Sequence, residues 1–232
     1  MIEPKLIKEY PHTLFATDEV GRGPIGGPVV IGAIQLDISE EKELRSLLRK
    51  LKKVGIQDSK AIGPETRKSI LESLGIKELT FKTKNEIVIG GIKISYITWD
   101  MDHEVIDQEN ILAASLRGMK ESCLFLSETK KYDQTVLIDG HMKFRWGTET
   151  PPWTEIPIVQ GDSKSLLIGL ASIIAKEKRD TFMKEMHALY PEYGFDSNFG
   201  YPTKFHREAI QKFGPSPIHR KTFKGVKEFI TA

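Results

Sequence analysis

Three apolar segments, far apart in the chain, each give way to a carboxylate within two residues of a glycine. Leu14-Phe15-Ala16 runs to Asp18-Glu19 ahead of Gly21, Val136-Leu137-Ile138 to Asp139-Gly140, and Ile156-Pro157-Ile158-Val159 to Gly161-Asp162. Short apolar runs bounded by turn residues read as buried strands, so the acids fall at strand ends. In an open α/β sheet the strand ends form the crevice where ligands bind, and residues distant in sequence converge there. Converging carboxylates repel one another unless cations neutralise them, and hard divalent ions such as Mg²⁺ or Mn²⁺ favour oxygen ligands. Any one of these acids alone reads as a turn or cap residue. Taken together, Asp18, Glu19, Asp139 and Asp162 read as a metal-binding cluster. Neighbours in a regular strand face opposite sides of the sheet, so the strand is expected to bend at Asp18-Glu19, with Gly21 and Gly23 supplying the backbone freedom.

The remaining elements alternate in the manner of a mixed α/β protein. Val29-Val30-Ile31-Gly32-Ala33-Ile34 reads as a second buried strand. Ser39 to Leu51 reads as a helix capped by the serine, with leucines at 44, 47, 48 and 51 along one face. Pro64 suits a helix start and Gly75 its close. Gly90-Gly91 divides Leu79 to Trp99 into a hairpin, and Asp102 to Leu126 reads as helix. Pro157 places its strand at a sheet edge or at a strand start. A long helix runs from Ser165 to about Leu189, apolar first and then charged, followed by loops and short helices near 204–213 and 225–230.

A chain of 232 residues, 39% hydrophobic, can bury one sizeable core. No apolar run approaches a membrane span, and Met1-Ile2-Glu3-Pro4-Lys5 lacks the apolar region of a signal peptide, so the expected location is the cytoplasm. Cys123 is the sole cysteine and sits among Met119, Leu124 and Leu126 as a buried structural thiol. Residues 161–232 hold 12 Lys and Arg against 8 Asp and Glu, a basic excess that permits a polyanionic partner without demanding one.

Asp18-Glu19-Val20-Gly21-Arg22-Gly23-Pro24 carries a family resemblance. With Asp58-Ser59-Lys60, Leu137-Ile138-Asp139-Gly140, Gly161-Asp162-Ser163-Lys164-Ser165, Ala171 to Lys176, Arg179-Asp180, Tyr190-Pro191, Gly200-Tyr201-Pro202-Thr203, His206 and Ile218-His219-Arg220 with Phe223, it makes an ordered set from about Leu14 to Phe223. This set resembles bacterial ribonuclease HII, the type 2 ribonuclease H. The resemblance implies a ribonuclease H-like mixed sheet flanked by helices, a catalytic core over residues 1–189, and a small C-terminal helical region over 190–232 that holds the duplex and is continuous with the core.

The family's four metal-binding carboxylates match Asp18, Glu19, Asp139 and Asp162, which the resemblance makes both catalytic and metal-binding, with Mg²⁺ or Mn²⁺ as the cofactor. Gly21-Arg22-Gly23 matches the tripeptide that recognises the ribonucleotide and its flanking phosphate. Glycines let backbone amides approach a sugar, arginine offers a forked donor, and the 2′-hydroxyl distinguishes RNA from DNA. Tyr201 matches the tyrosine that packs on the sugar beside the cleavage point, while Lys60, Lys176 and Arg179 are candidate phosphate contacts. Lys176 and Arg179 equally suit ion pairs with Glu177 or Asp180. The implied reaction is a two-metal in-line hydrolysis, with the ions roughly 4 Å apart, that cuts 5′ of a ribonucleotide and leaves 3′-hydroxyl and 5′-phosphate ends. The implied substrates are RNA/DNA hybrids and DNA duplexes containing ribonucleotides, acted on by a monomer.

Some features depart from the family pattern. Asp196-Ser197-Asn198-Phe199 replaces the usual basic and histidine residues before Gly-Tyr, and 143–155 and the 79–99 hairpin are elaborations. Gly-Arg-Gly in place of Gly-Lys-Gly favours ribonuclease HII over HIII. The histidines lack paired metal-ligand spacing and read as polar or packing residues. Two alternatives stay open. A resolvase-like DNA nuclease would share the acids but have no use for Gly-Arg-Gly and the tyrosine. A non-catalytic hybrid-binding protein would need no intact acid cluster.

Overall fold

Leu14, Phe15 and Ala16 point alternately to the two faces of a strand, and all three are buried, so both faces of the sheet must be covered. The computed structural model, which describes residues 2–56, 62–127 and 132–230, shows how. Strands β1 (His12–Val20), β2 (Val29–Ile38), β3 (Asn85–Ile89), β4 (Ile92–Met101), β5 (Asp133–Asp139) and β6 (Thr154–Ile158) form one sheet in the order β3-β4-β2-β1-β5-β6. Neighbours from β3 to β1 are antiparallel, whereas β5 runs parallel to β1, and β6 parallel to β5. Gly90 and Gly91, at φ 65° and 87°, make the left-handed two-residue turn that joins β3 to β4. Pro157 lies in β6, an edge strand, where a missing N–H costs no central ladder bond.

The helices are α1 (Glu3–Leu6), α2 (Glu41–Lys53), α3 (Pro64–Ser73), α4 (His103–Glu109), α5 (Ile111–Leu126), α6 (Gly161–Lys164), α7 (Leu166–Leu189), α8 (Phe195–Asn198) and α9 (Lys204–Phe213). On one face, Leu14, Ala16, Ile34, Leu36 and Leu137 pack with the leucines of α2 and with Leu167, Leu170 and Ile174 of α7. On the other, Phe15, Ile31, Ala33, Val136 and Ile138 pack with Ala114, Met119, Cys123 and Leu126 of α5. Each of the large apolar side chains among them contributes about 1.5–3 kcal/mol by leaving water. Burial also pushes the Cys123 thiol pKa up, as a structural thiol requires. Gly32 brings α7 onto the sheet, because a β-carbon there would lie 2.0 Å from the Ala171 carbonyl oxygen.

Two helix boundaries differ from the sequence expectation. The helix expected over 102–126 is two, because Asn110 takes φ 74° and its Oδ1 accepts from the N–H groups of Leu112 and Ala113, capping α5 afresh. Ser39 does not cap α2, whose N-cap is Glu40; the Ser39 N–H, one residue ahead of the cap, donates to Glu43 Oε2. By contrast, Ser165 caps α7 through Ile168 N–H, and the buried Glu3 accepts from Ser165 Oγ and Leu167 N–H at the same helix start.

Beyond α7, Tyr193, Phe195, Ala209, Ile210 and Val226 share a third core with Met183 of α7 and Ile25 of the β1–β2 loop. The 143–155 elaboration has its own anchor. Buried Glu155 accepts from Phe144 N–H and from the indole N–H groups of Trp146 and Trp153. Among the described residues, no helix is long and apolar enough to cross a membrane.

Candidate active site

Parallel pairing of β1 with β5 ends at Thr17↔Ile138, and the next residues on the two strands are Asp18 and Asp139. Asp18 has the parity of Leu14 and Ala16, and Asp139 that of Leu137, so both acids point to the face covered by α7. Carboxylate oxygens of Asp18, Glu19 and Asp139 lie within 4.8 Å of one another. The expected bend at Asp18-Glu19 is absent: β1 keeps register with β2 through Asp18↔Gly32, Glu19↔Ile31 and Val20↔Val30. The change occurs on the other side, where β5 stops pairing and leaves the strand edge open for the longer Glu19 side chain to come round. Glu19 N–H also donates to Asp18 Oδ1 at 2.8 Å.

Asp139 is fixed by the segment that carries the fourth acid. Gln160 takes φ 56°, and the following Gly161 N–H donates to Asp139 Oδ1 at 2.6 Å. A β-carbon on Gly161 would meet Ile168 Cδ1 at 2.6 Å and Asp139 Oδ1 at 3.0 Å, so a larger residue there would have to push Ile168 aside. Asp162 is buried in α6 and stands outside the tight group of three, although its charge still acts on Asp18.

The cluster is electrostatically costly. Burial, then the charges of Asp139 and Glu19, hold the Asp18 carboxyl well above the usual carboxylate range, against a hydrogen bond from Ser172 that lowers it. Burial pushes Glu19 up to about 7, opposed by the Arg22 guanidinium 3.2 Å away. Three converging carboxylates, Asp18 buried and Glu19 and Asp139 partly so, fit a divalent cation with oxygen ligands.

The acids line a cleft of about 380 Å³ together with Gly21, Arg67, Ser172, Lys176 and Tyr201. Tyr201 is 46% exposed, and a β-carbon on Gly23 would touch its ring at 3.5 Å, so the ring stands beside the exposed Arg22-Gly23 turn. Lys176 reaches the cleft from α7, paired with Asp180 and lying 5.0 Å from the Phe199 ring centroid. Lys60 lies outside the described residues. The assignment of Arg179 to phosphate is corrected: it is fully buried and donates to the carbonyls of Pro28, Gly26 and Phe199, so no part of it faces the cleft.

Sequence reasoning missed Arg67, and it quoted Arg220 within Ile218-His219-Arg220 without giving it a role. Arg67 of α3 bonds Glu177 at 2.8 Å and Asp180 at 2.7 Å, tying α3 to α7 behind Lys176. The departure at 196–199 also has a role. Asn198 donates to the Tyr193 carbonyl and accepts from Gly200 N–H, bracing the turn before Tyr201 where the family pattern has basic residues.

A six-stranded mixed sheet flanked by helices, with acids at the ends of its adjacent parallel strands, is the arrangement of the ribonuclease H-like hydrolases. The ribonuclease H2 of Pyrococcus horikoshii shares the fold at a TM-score of 0.62 and 22% identity, over 94% of this chain and 96% of that one. Residues 16–226 match the family model for ribonuclease HII. Ribonuclease HII of Chloroherpeton thalassium is 42% identical over 89% of this chain and 87% of its own length. That of Desulfotalea psychrophila is 37% identical over 92% and 81%. The chain belongs to the ribonuclease HII family and is thus a type 2 ribonuclease H, an endoribonuclease of RNA/DNA hybrids.

Proposed function

We propose that this chain cleaves the RNA strand of hybrids and also cuts duplex DNA on the 5′ side of an embedded ribonucleotide, leaving 3′-hydroxyl and 5′-phosphate ends. The observation that carries this reading is the convergence on one cleft of the Asp18, Glu19 and Asp139 oxygens with Gly21 and Tyr201, with Arg22 paired to Glu19 and Gly23 beside the Tyr201 ring. Asp18, Glu19 and Asp139 hold divalent metal, Mg²⁺ or Mn²⁺, and Asp162 completes the set from α6. When bound as a pair, such ions supply an activated water and neutralise charge on the leaving 3′ oxygen.

The chain's own groups orient the substrate. The Gly21–Gly23 backbone meets the 2′-hydroxyl, Arg22 and Lys176 meet phosphate, and the Tyr201 ring rests on the neighbouring sugar. Gly161 N–H holds Asp139 in one orientation, so this ligand needs little rearrangement before reaction. The segment 190–232 serves to hold the duplex.

The test is a duplex carrying one ribonucleotide, incubated with the protein and Mg²⁺ or Mn²⁺, with product ends mapped. Cleavage 5′ of the ribonucleotide, lost in chelator and in Asp139→Asn, is expected. Cleavage of all-DNA duplexes at comparable rate, or full activity in excess chelator, overturns the reading.

A further inference from the structure

Between β1 and β2 the chain makes a loop, residues 21–28, that contains four glycines and two prolines and no regular hydrogen bonding of its own. Its carbonyls are taken up instead by two fully buried arginines. Arg220 donates from Nη2 to Gly21 O at 2.6 Å, from Nη1 to Arg22 O at 3.1 Å and Pro24 O at 2.7 Å, and from Nε to Gly27 O at 2.9 Å. Its backbone N–H donates to Ile25 O at 2.9 Å. Arg179 takes the carbonyls of Gly26 and Pro28, both at 3.1 Å. A β-carbon on Gly21, at φ 99°, would lie 2.2 Å from Arg179 Nε, so the glycine is required by the arginine packed against it.

Peptide geometry converts this into a statement about the opposite side of the loop. In a trans peptide the N–H points away from the C=O of the same unit. Drawing in the carbonyls of Gly21 and Arg22 therefore turns the N–H groups of Arg22 and Gly23 outward, and both residues are exposed. Among the described residues, neither of those N–H groups donates to the protein, whereas Ile25 N–H and Gly27 N–H donate inward to Gly200 O and Ile218 O. Nor, among the described residues, does Arg179 or Arg220 form a salt bridge, so two cationic groups solvated by carbonyl dipoles lie beneath the outward amides. That charge favours an anionic or oxygen-rich ligand on the loop's outer side.

We propose that Arg220, seconded by Arg179, is a positioning residue for ribonucleotide discrimination: it holds the Arg22 and Gly23 amides as a preformed pair of donors without itself touching the substrate. This rests on the reading that Gly21-Arg22-Gly23 meets the ribonucleotide. A planar five-donor fork can hold four carbonyls at once, and an ammonium on a flexible stem cannot. Arg220→Lys therefore keeps the charge and loses the geometry.

The experiment compares Arg220→Lys with the parent chain, both carrying Asp139→Asn to prevent cleavage. Binding is measured to a duplex with one ribonucleotide and to the matching all-DNA duplex at the same salt. The expected result in a variant that still folds, at a melting temperature lowered by the carbonyls left unpaired, is a loss of roughly tenfold or more in the preference for the ribonucleotide duplex with all-DNA affinity retained. An unchanged preference in a folded Arg220→Lys overturns the inference, as does a parallel fall in affinity for both duplexes. Absence of any preference in the parent chain instead overturns the underlying reading. Amide hydrogen exchange in the parent keeps the inference testable even where the variant does not fold. Arg22 and Gly23 should exchange fast in the free protein and be slowed tenfold or more by the ribonucleotide duplex, while Ile25 and Gly27 are protected throughout. Arg22 and Gly23 amides as protected as Ile25 in the free protein would overturn the outward geometry on which the inference stands.

Discussion

His206 and His219 face each other with their Nε2 atoms 2.9 Å apart, in a buried site behind the Tyr201 turn. Only one proton fits between them. His206 Nδ1 lies 2.8 Å from the Tyr201 carbonyl, which can only accept, so this nitrogen carries the hydrogen and Nε2 is bare. His219 then donates from Nε2, and its Nδ1 accepts from the Ser216 N–H at 2.8 Å and hydroxyl at 2.7 Å. Both rings are thus fixed as neutral tautomers.

The first prediction concerns their titration. Burial lowers both imidazoles, and His219, with the His206 charge adding to burial, falls to about 3. Below about pH 6.5 an unfolded histidine takes up a proton that the native ring refuses, so this stabilisation is complete above 6.5 and is lost as pH falls toward 3. Loss is at most about 1.4 kcal/mol per pH unit for each ring. In an NMR titration the His219 ring carbons should stay at their neutral shifts from pH 8 to pH 5. An inflection near 6.5 would sink the assignment.

Metal binding should also be linked to protons and, like the histidine contribution, should be favoured as pH rises. Glu19 sits at about 7 without metal and Asp18 well above its usual range, so the free cluster holds protons that a cation must displace. Affinity for Mg²⁺ or Mn²⁺ should therefore rise with pH through 7, and calorimetry near pH 6.5 in buffers of differing ionisation enthalpy should register proton release. The penalty on metal-free stability is full above 7 and fades as pH falls toward 4.5. Asp139→Asn removes one repelling charge, so it should cut cleavage by about 100-fold or more while leaving the metal-free melting temperature unchanged or higher. Binding without proton release would refute the linkage.

What the sequence disclosed and what it hid follow from the range of the interactions. Asp139-Gly140 after Val-Leu-Ile is a local pattern, and it placed an acid at a strand end without any knowledge of the neighbouring strand. The straight course of β1 through Glu19 was hidden, because it is enforced by pairing with β2 up to Val20↔Val30 and by the ending of β5 on the other side. Arg67, and the role of Arg220 within its motif, were hidden for the same reason. A lone arginine reads as surface charge, yet Arg67 meets Asp180 across 113 positions and Arg220 meets Gly21 across 199. Asn110 was a local signal passed over, since asparagine both ends and caps helices.

Glu155 offers a stability prediction outside the cleft. Its two oxygens accept three N–H groups, two of them indoles, so Glu155→Gln turns an amide NH₂ toward at least one donor. Leaving a buried donor unpaired costs about 1–3 kcal/mol. At about 2–4 °C per kcal/mol for a chain of this size, the melting temperature should fall by several degrees, with tryptophan emission shifted to the red. Cleavage by the folded variant should persist. An unchanged melt would mean that the 143–155 elaboration does not depend on this anchor.

The last prediction separates recognition from metal binding. Tyr201 is half-exposed beside Gly23, and its backbone is held on both sides, by Asn198 O accepting from its N–H and by His206 Nδ1–H donating to its carbonyl. Truncating the ring removes a face on which a sugar can rest and touches none of the carboxylates. Tyr201→Ala should therefore bind metal as the parent chain does while losing cleavage at a single embedded ribonucleotide, because misplacing the scissile phosphate by a fraction of an ångström costs the chemical step more than it costs binding. A continuous RNA strand offers further contacts along the duplex to hold register, so the loss there should be smaller and the preference between the two substrates should narrow. Rates are to be compared on matched duplexes at one salt concentration, since phosphate contacts weaken steeply with salt. Equal rates for Tyr201→Ala and the parent on both substrates would leave Tyr201 a packing residue and place junction recognition wholly on the Arg22 and Gly23 amides.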